Sequence, residues 1–348
     1  MSTMSIKNYF FYFASLVIII AGVKAASEIV IILFLSIFIA SIVSTIIKIL
    51  EKKFIPKFIA YLFVIGIFIL ISLLLSYIIN ISLKDFLTNI PIYEKKLHLV
   101  IIDSVAFLEN YGFAVDKQTI LEALSFSSFF SFTTNIIGSI GSFLSKFLLL
   151  VIGIAFILAE SKSFEKKLKI IFSKNSKKLE HFNLFSQNIQ KYFLVKTTTS
   201  FLTGFLISIS LIFFEVDYPI LWGVIAMLFN FIPVVGSIIA AIPAVLLSFV
   251  TADLNTTIIL IIVYVFINIF ISNILEPKFM GKELGLSPLI IFFSLIFWGW
   301  VLGIVGMFLA VPLTMTLKIA FNSNTNTRWI SIFMSNIGSK KSISTFFK

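Results

Sequence analysis

The chain has 348 residues, 59% of them hydrophobic and only 12% charged, with 42 phenylalanines, which is too apolar for a soluble surface around one core and marks an integral membrane protein. Its net charge of +11 is almost all lysine, Arg328 being the single arginine, and the lysines crowd beside apolar runs, where they report topology and anionic lipid and argue against a nucleic-acid partner. With no cysteine there is no disulfide, thiolate metal site or cysteine nucleophile.

The stretch from Asn8 to Lys24, which holds the first apolar run, Tyr9 to Val23, is apolar enough for a signal peptide. No small-residue cleavage site follows it and another run begins at once, so it reads as a retained first span, a removed signal being the alternative. Further spans are expected from Glu28 to Ile47, Phe58 to Asn80, Phe143 to Glu160, Thr197 to Phe214 and Thr257 to Leu275, close to the roughly 18–20 residues that cross about 30 Å of hydrocarbon. Between the third and fourth spans, residues 81–142 mix polar and apolar side chains. There "YEKKLHLVIIDSVAFLENYGF" aligns Leu97, Ile101, Ser104, Phe107 and Leu108 on one helical stripe, which predicts amphipathic helices lying on the bilayer or packing outside it.

Charge orients these spans. The linker from Ser161 to Lys196 carries nine lysines against Glu165 and Glu180, and "KILEKKFIPK" carries four more against Glu51, so both belong inside. With the amino terminus inside, three spans bring 81–142 outside, where Asp85, Glu94, Asp103, Glu109, Asp116 and Glu122 outnumber the lysines.

Two longer apolar blocks need separate treatment. Pro219 to Val250 would be about 48 Å as one straight helix, too long for the hydrocarbon. Split at "IPVVG", it becomes two arms of roughly 14 residues, about 21 Å each, and each is too short to cross alone. That is a re-entrant hairpin, turned by Pro233, which lacks a backbone donor, and by Gly236, which tolerates tight geometry. Backbone groups freed there must be buried in protein or face a cavity, a candidate binding site.

The block from Pro288 to Ala320 repeats the design. At a constant offset of 69 residues, Pro219 falls on Pro288, Ala241 on Ala310, Ile242 on Val311 and Pro243 on Pro312. Gly299, Gly303 and Gly306 occupy the middle where the first block has Asn230, Pro233 and Gly236. Each block follows a full span, so a unit of one span and one hairpin is read as duplicated. The charges place the first hairpin's ends outside and the second's inside, an inverted repeat of the kind found in secondary transporters, with the site expected near the midplane. Single tilted spans are the alternative for both blocks.

With "NFIPVVGSIIAAIPAVLLSF" and "NILEPKFMGKELGLSPLIIFFSLIFWGWVLGIVGMFLAVPLTMTLKI" in view, the chain resembles the autoinducer-2 exporter (AI-2E) family of bacterial membrane proteins. Weaker likeness runs from "IASIVSTIIKILEKKFIPKFIAYL" through "NIPIYEKKL" to "NIQKYFLVKTTTSFLTGF", so the whole chain is covered. The resemblance implies a transporter more firmly than it implies a cargo. The family is named for export of a quorum-sensing signal, and other members resemble sodium or lithium/proton antiporters. It also suggests self-assembly into a homo-oligomer.

Several residues match those motifs. Asn230, Pro233 and Gly236 would form the first hairpin tip, the Asn230 amide meeting a polar solute, or would only shape the turn. Glu276, with Pro277, Gly281 and Lys282 in the second motif, is the best ionisable candidate for ion coupling; pairing with Lys278 or Lys282 as an interfacial anchor is the competing reading. Gly303, Gly306 and Pro312, with Pro243 in the first block, set close packing or the second tip, with gating or solute binding through backbone carbonyls as the functional alternative. Pro277, Gly281 and Pro288 are motif residues with a structural role. The hydroxyls of "KTTTSFLTG" read first as packing and second as a pore lining, Asn268 and Asn273 likewise. Glu160, beside Lys162, reads as an interfacial charge. His98 and His181 have no ligand companions at helical spacing, and no protease, hydrolase or nucleotide-binding motif is present.

The resulting expectation is an all-helical polytopic membrane protein with about six full spans and two re-entrant hairpins. In segments, 1–80 holds three spans, 81–142 the outer amphipathic part, and 143–196 the fourth span and basic linker. Residues 197–256 and 257–320 hold the inverted repeats, and 321–348 form a basic cytoplasmic tail. The expected function is export of a small polar solute across the inner membrane, gradient-driven or facilitative, with protons or sodium as partners beside the lipid bilayer. No cofactor, metal or catalysis is expected. A cation/proton antiporter is the nearest rival, a passive channel another, and a non-transporting scaffold the rival from a different class.

Overall fold

The computed structural model describes residues 6–51, 56–110, 147–171, 176–233, 235–280, 285–322 and 325–336, together with 135 and 138. Their regular structure is helical, apart from an isolated bridge between Leu286 and Ser335. In chain order the helices are α1 (Ile6–Ala25), α2 (Ser27–Glu51), α3 (Lys57–Asn110), α4 (Phe147–Ile171), α5 (Ser176–Phe213), α6 (Pro219–Phe229), α7 (Val235–Thr251) and α8 (Leu254–Ile269). A π-helix (Phe270–Leu275) then leads into α9 (Glu276–Met280), followed by α10 (Pro288–Asn322) and α11 (Arg328–Phe333).

Five stretches are long and apolar enough to cross a membrane: Ser27–Ile47, Phe58–Lys96, Ser186–Phe213, Leu254–Met280 and Pro288–Asn322. Large apolar side chains such as Phe58, Phe213 and Phe266 point outward, as lipid permits and water would not. The chain is thus a multi-pass membrane protein. The helices that hold the first and fourth expected spans have shorter apolar stretches, Phe10–Ala25 and Phe147–Ser161.

Two helices run past their expected ends. The third span does not stop at Asn80: α3 continues through Pro91 to Asn110, 54 residues in all and about 80 Å long, far more than the hydrocarbon needs. Its extension keeps a buried stripe through Ile79, Phe86 and Tyr93 at seven-residue spacing, then Ile101 and Val105. Of the stripe read from the sequence, Ile101 is buried, while the side chains of Leu97, Ser104, Phe107 and Leu108 and the whole of 111–134 lie outside the described residues. Likewise α5 begins in the basic linker at Ser176 and runs unbroken into the fifth span. Glu160, read as an interfacial charge, pairs with Lys167 at 2.6 Å on the exposed side of α4, which continues to Ile171.

The chain divides into two compact units. The first comprises 1–60, 148–195 and 280–348. In it α2 packs on α10, Phe38 meets Phe193 with ring centroids 5.0 Å apart, and Lys24 lies 4.0 Å over the Trp300 ring. The Ser287 amide donates to Met334 O at 3.0 Å, tying the start of α10 to the end of α11. The second comprises 61–147 and 196–279. Here α6 packs on α7 and α7 on α8, and the Ser248 and Thr257 hydroxyls meet at 3.2 Å across the α7–α8 turn.

Each unit holds one of the two long apolar blocks, and each block is broken. In the second unit α6 ends at Asn230, whose amide donates to Ala226 O at 2.9 Å; Ile232 donates back to Phe229 O at 2.8 Å and Gly236 to Ile232 O at 3.2 Å. A Cβ on Gly236 would strike the Phe229 carbonyl, so the start of α7 closes on the end of α6. In the first unit α10 is interrupted at Gly303, with φ 67° and ψ −154°. Beyond it the chain folds back. Trp298 Nε1 donates to Thr314 Oγ1 at 3.0 Å, although the two would stand about 24 Å apart along an unbroken helix. A Cβ on Gly306 would strike the Trp298 carbonyl and come within 2.6 Å of Leu302 Cβ, just as one on Gly236 would come within 3.0 Å of Ile232 Cβ.

Candidate functional site

One face of α5 organises the buried polar groups of the second unit. Lys196, Ser200, Gly204 and Ser208 recur every four residues and so share that face. Lower on it, Gly204 and Ser208 let α6 approach closely: a Cβ on Gly223 would lie 2.7 Å from Gly204 O and would collide with Ser208 Oγ. This is the small-residue packing by which membrane helices come together. Further along, the same face carries polar contacts.

Ser200 Oγ accepts a hydrogen bond from Asn230 Nδ2 at 3.0 Å, with both residues buried. The amide at the break in the first block is therefore held by a neighbouring helix. One turn away, Lys196 Nζ donates to Glu276 Oε1 at 2.5 Å, and Thr199 Oγ1 donates to the same oxygen at 3.1 Å. The lysine side chain is only 5% exposed and the glutamate's 14%, so this is a buried ion pair within an apolar span. A lone charge there would be strongly disfavoured, whereas a contacting pair with an added hydroxyl donor is sustainable.

The π-helix explains how Glu276 reaches α5. A π turn inserts an extra residue per turn and re-aims the side chains that follow it, and such turns gather at functional positions. Glu276 is the first residue after this one. About two and three turns earlier on α8, Asn268 Oδ1 and Tyr264 Oη are buried without a hydrogen-bond partner among the described residues, although Asn268 Nδ2 donates to Tyr264 O at 2.8 Å. Unpaired buried polar atoms are rare enough to mark a place where a polar ligand or water would be favoured.

A second polar cluster closes the other end of the unit. Tyr93 Oη donates to Asp217 Oδ2 at 2.9 Å, and Asn89 Nδ2 donates to Tyr218 Oη at 2.9 Å. Glu215 and Tyr218 have φ values of 53° and 58°, uncommon for residues with a Cβ, and the extension of α3 holds this turn. Phe86, fully buried, meets the Tyr218 and Trp222 rings edge-on at 5.8 Å each. Burial keeps the Tyr218 phenol above its ordinary range, so it stays neutral at physiological pH.

The site residues expected from the sequence divide accordingly. Asn230 and Glu276 are both held on α5, through Ser200 and through Lys196 with Thr199. Pro233 and Gly236 form the turn, where the Val235 amide donates to Pro233 O at 2.7 Å. Pro243 is buried inside α7, Pro277 is exposed on α9, and Gly281 and Lys282 lie outside the described residues. Pro288 opens α10, Gly303 and Gly306 make its reversal, and Pro312 is buried in its second arm. Glu276 takes Lys196 as its partner while Lys278 is exposed. Sequence reasoning missed Tyr264 and the pairing role of Lys196. A lysine four residues before a small-residue stripe, hence on the packing face of a span, was the available signal for the latter.

Among the described residues no cluster of three His, Cys, Asp or Glu side chains could hold a metal ion. The family described as "AI-2E family transporter" matches residues 13–326. A Haemophilus influenzae protein, provisionally named as a transport protein, is 36% identical over 323 residues, covering 90% of this chain and 92% of its own. The AI-2 transport protein TqsA of Escherichia coli is 29% identical over 322 residues, covering 92% and 94%. A second Escherichia coli protein, YhhT, provisionally named for transport, is 27% identical with 88% of each chain covered.

Proposed function

The chain belongs to the AI-2E transporter family, and from that premise we propose that it exports a small polar solute across a bacterial cytoplasmic membrane, with coupling at Glu276. The observation that carries this reading is the buried Lys196–Glu276 pair, because ionisable groups inside membrane spans mark ion and proton pathways. Autoinducer-2 is the first cargo to test, since a relative similar over nearly the whole chain is named for its transport. Polar atoms for a solute are available at Asn230, Tyr264 and Asn268. The two broken blocks act as re-entrant hairpins of an inverted repeat, and a rocking or sliding motion gives alternating access. Their matching turn contacts, Gly236 on Phe229 and Gly306 on Trp298, support that reading.

A cation/proton antiporter is the second reading, favoured by the same ion pair, which needs no organic solute to work. Flux of autoinducer-2 into proteoliposomes, with and without an imposed proton or sodium gradient, separates the two. Saturable, gradient-stimulated flux that is lost in Glu276→Gln is the expected result. Proton movement driven by sodium or lithium with no autoinducer flux moves the assignment to the antiporter, and binding of partners with no flux of any kind would leave a scaffold.

A further inference from the structure

We propose that α11, together with Lys318, is a docking site for the anionic phospholipids of the cytoplasmic leaflet: Trp329, Ile332 and Phe333 enter the headgroup boundary while the Lys318 ammonium takes a lipid phosphate. The site is independent of the cargo and of Glu276. It stands where the second broken block begins and ends. Lys318 Nζ, near the end of α10, donates to Gly285 O, just before its start. The Ser287 amide donates to Met334 O at 3.0 Å, and Leu286 bridges to Ser335. Both ends of α10 therefore lie together, with α11 beside them. The arms between those ends are the apolar part of the block, so α11 sits at the edge of the hydrocarbon, the layer where indole rings are enriched. There α11 packs on α10, with Ser331 and Met334 buried. Trp329 and Phe333 are 67% and 74% exposed, and Ile332 is exposed beside them. Spaced three and four residues apart, these three share one face of the helix. One side held on protein and one apolar side left free is the form of a helix that lies in a membrane interface.

Charge selects the partner. From Lys318 to Lys348 the sequence carries Lys318, Arg328, Lys340, Lys341 and Lys348 and no Asp or Glu. A basic stretch of this kind belongs on the cytoplasmic side, and the negative leaflet there attracts it by about fivefold in affinity per basic residue close to the surface. A second copy meeting this one through the same face would set those positive charges opposite one another, which disfavours self-association here. Lys318 also has donors to spare. Its ammonium carries three, Gly285 O takes one, and among the described residues no carboxylate pairs with it. A phosphate oxygen completes the set, and the lipid it belongs to lies at the level of the exposed indole.

The chain has no cysteine, so a single spin label on Ile332→Cys reports on α11 alone while Trp329 and Phe333 stay in place. The full chain is reconstituted into vesicles of phosphatidylcholine, or of phosphatidylcholine and phosphatidylglycerol in equal parts. Access of the label to oxygen and to a water-soluble nickel chelate then gives its depth. In the mixed vesicles the label is expected to be open to oxygen and shielded from nickel; in phosphatidylcholine alone, or in the mixed vesicles at high NaCl, it is expected to be more open to nickel. Lys318→Gln should lower the shielded-to-exposed ratio in mixed vesicles about fivefold, Lys318→Arg should keep it, and Trp329→Ser with Phe333→Ser should abolish the shielding. Equal nickel access in the two kinds of vesicle overturns the proposal. So does shielding from both reagents in both, the mark of a protein partner or a second copy covering the face. An unchanged ratio in Lys318→Gln removes Lys318 as the phosphate ligand. Glycerol phosphate added to phosphatidylcholine vesicles should not reproduce the shielding; if it does, the ligand is a soluble phosphate and the assignment to the leaflet falls.

Discussion

The two broken apolar blocks reach the same local result by different chemistry. The first turns over several residues, Asn230 to Pro233, and spreads the change across ordinary helical and turn geometry. The second turns at Gly303, in a region of backbone space that glycine almost alone occupies, with open space around it. Yet each closes a glycine onto a carbonyl of the preceding arm, Gly236 on Phe229 and Gly306 on Trp298. What differs is what each turn brings with it. The multi-residue turn carries a buried amide, Asn230, tied to the helix face that also holds Lys196, whereas the glycine turn carries Trp298 and Met307. Two backbone reversals with similar glycine contacts therefore present different side chains.

Substitutions sharpen or break that comparison. The largest effect is expected from Glu276→Ala, which strands a buried ammonium: about 3–5 kcal/mol of stability lost, read as a fall in melting temperature, with flux abolished. A Lys196→Met/Glu276→Leu double variant should recover the stability but not the flux. Next come Gly236→Val and Gly306→Val, each driving a branched side chain into a backbone carbonyl; about 3 kcal/mol or more and loss of flux are expected at both. Wild-type melting in either would break the equivalence of the two turns. Gly303→Ala should cost about 1–3 kcal/mol, and Pro233→Ala less, since its turn does not hang on one residue. Asn230→Ala should lose about 1–2 kcal/mol and lower solute flux, because it removes the amide facing Ser200. Smallest is Tyr93→Phe, at about 0.5–1.5 kcal/mol through one hydrogen bond to Asp217, with solute affinity unchanged. A flux loss there as large as that of Asn230→Ala would mean the α3 extension takes part in transport.

Much of this was legible from the chain. Apolar runs of spanning length and lysine-rich linkers follow from composition, and the breakers at Asn230–Gly236 and Gly299–Gly306 marked where both long blocks would bend. Glu276 stood out because few acids lie near the apolar runs. Its partner did not, because Lys196 is 80 residues away in sequence and looks like one more topogenic lysine, while Lys278 and Lys282 are near at hand. The extent of α3 was also hidden. Lys84, Asp85 and Pro91 look like the end of a helix, but outside hydrocarbon a helix can carry charge, and Phe86 and Tyr93 give it a surface to pack with.

The sequence by itself determined that the chain is helical, that several of its segments are long and apolar enough to cross a membrane, and where the two long blocks break. These follow from hydrophobic length and from the conformations open to proline and glycine, which are local properties. Tertiary structure alone decided which face of α5 meets which neighbour, and with it that Lys196 neutralises Glu276 and that Ser200 holds Asn230. The reason is physical: in an apolar solvent a polar group takes whatever partner helix packing brings within reach, and a shift of register such as the π turn before Glu276 is invisible in the order of residues.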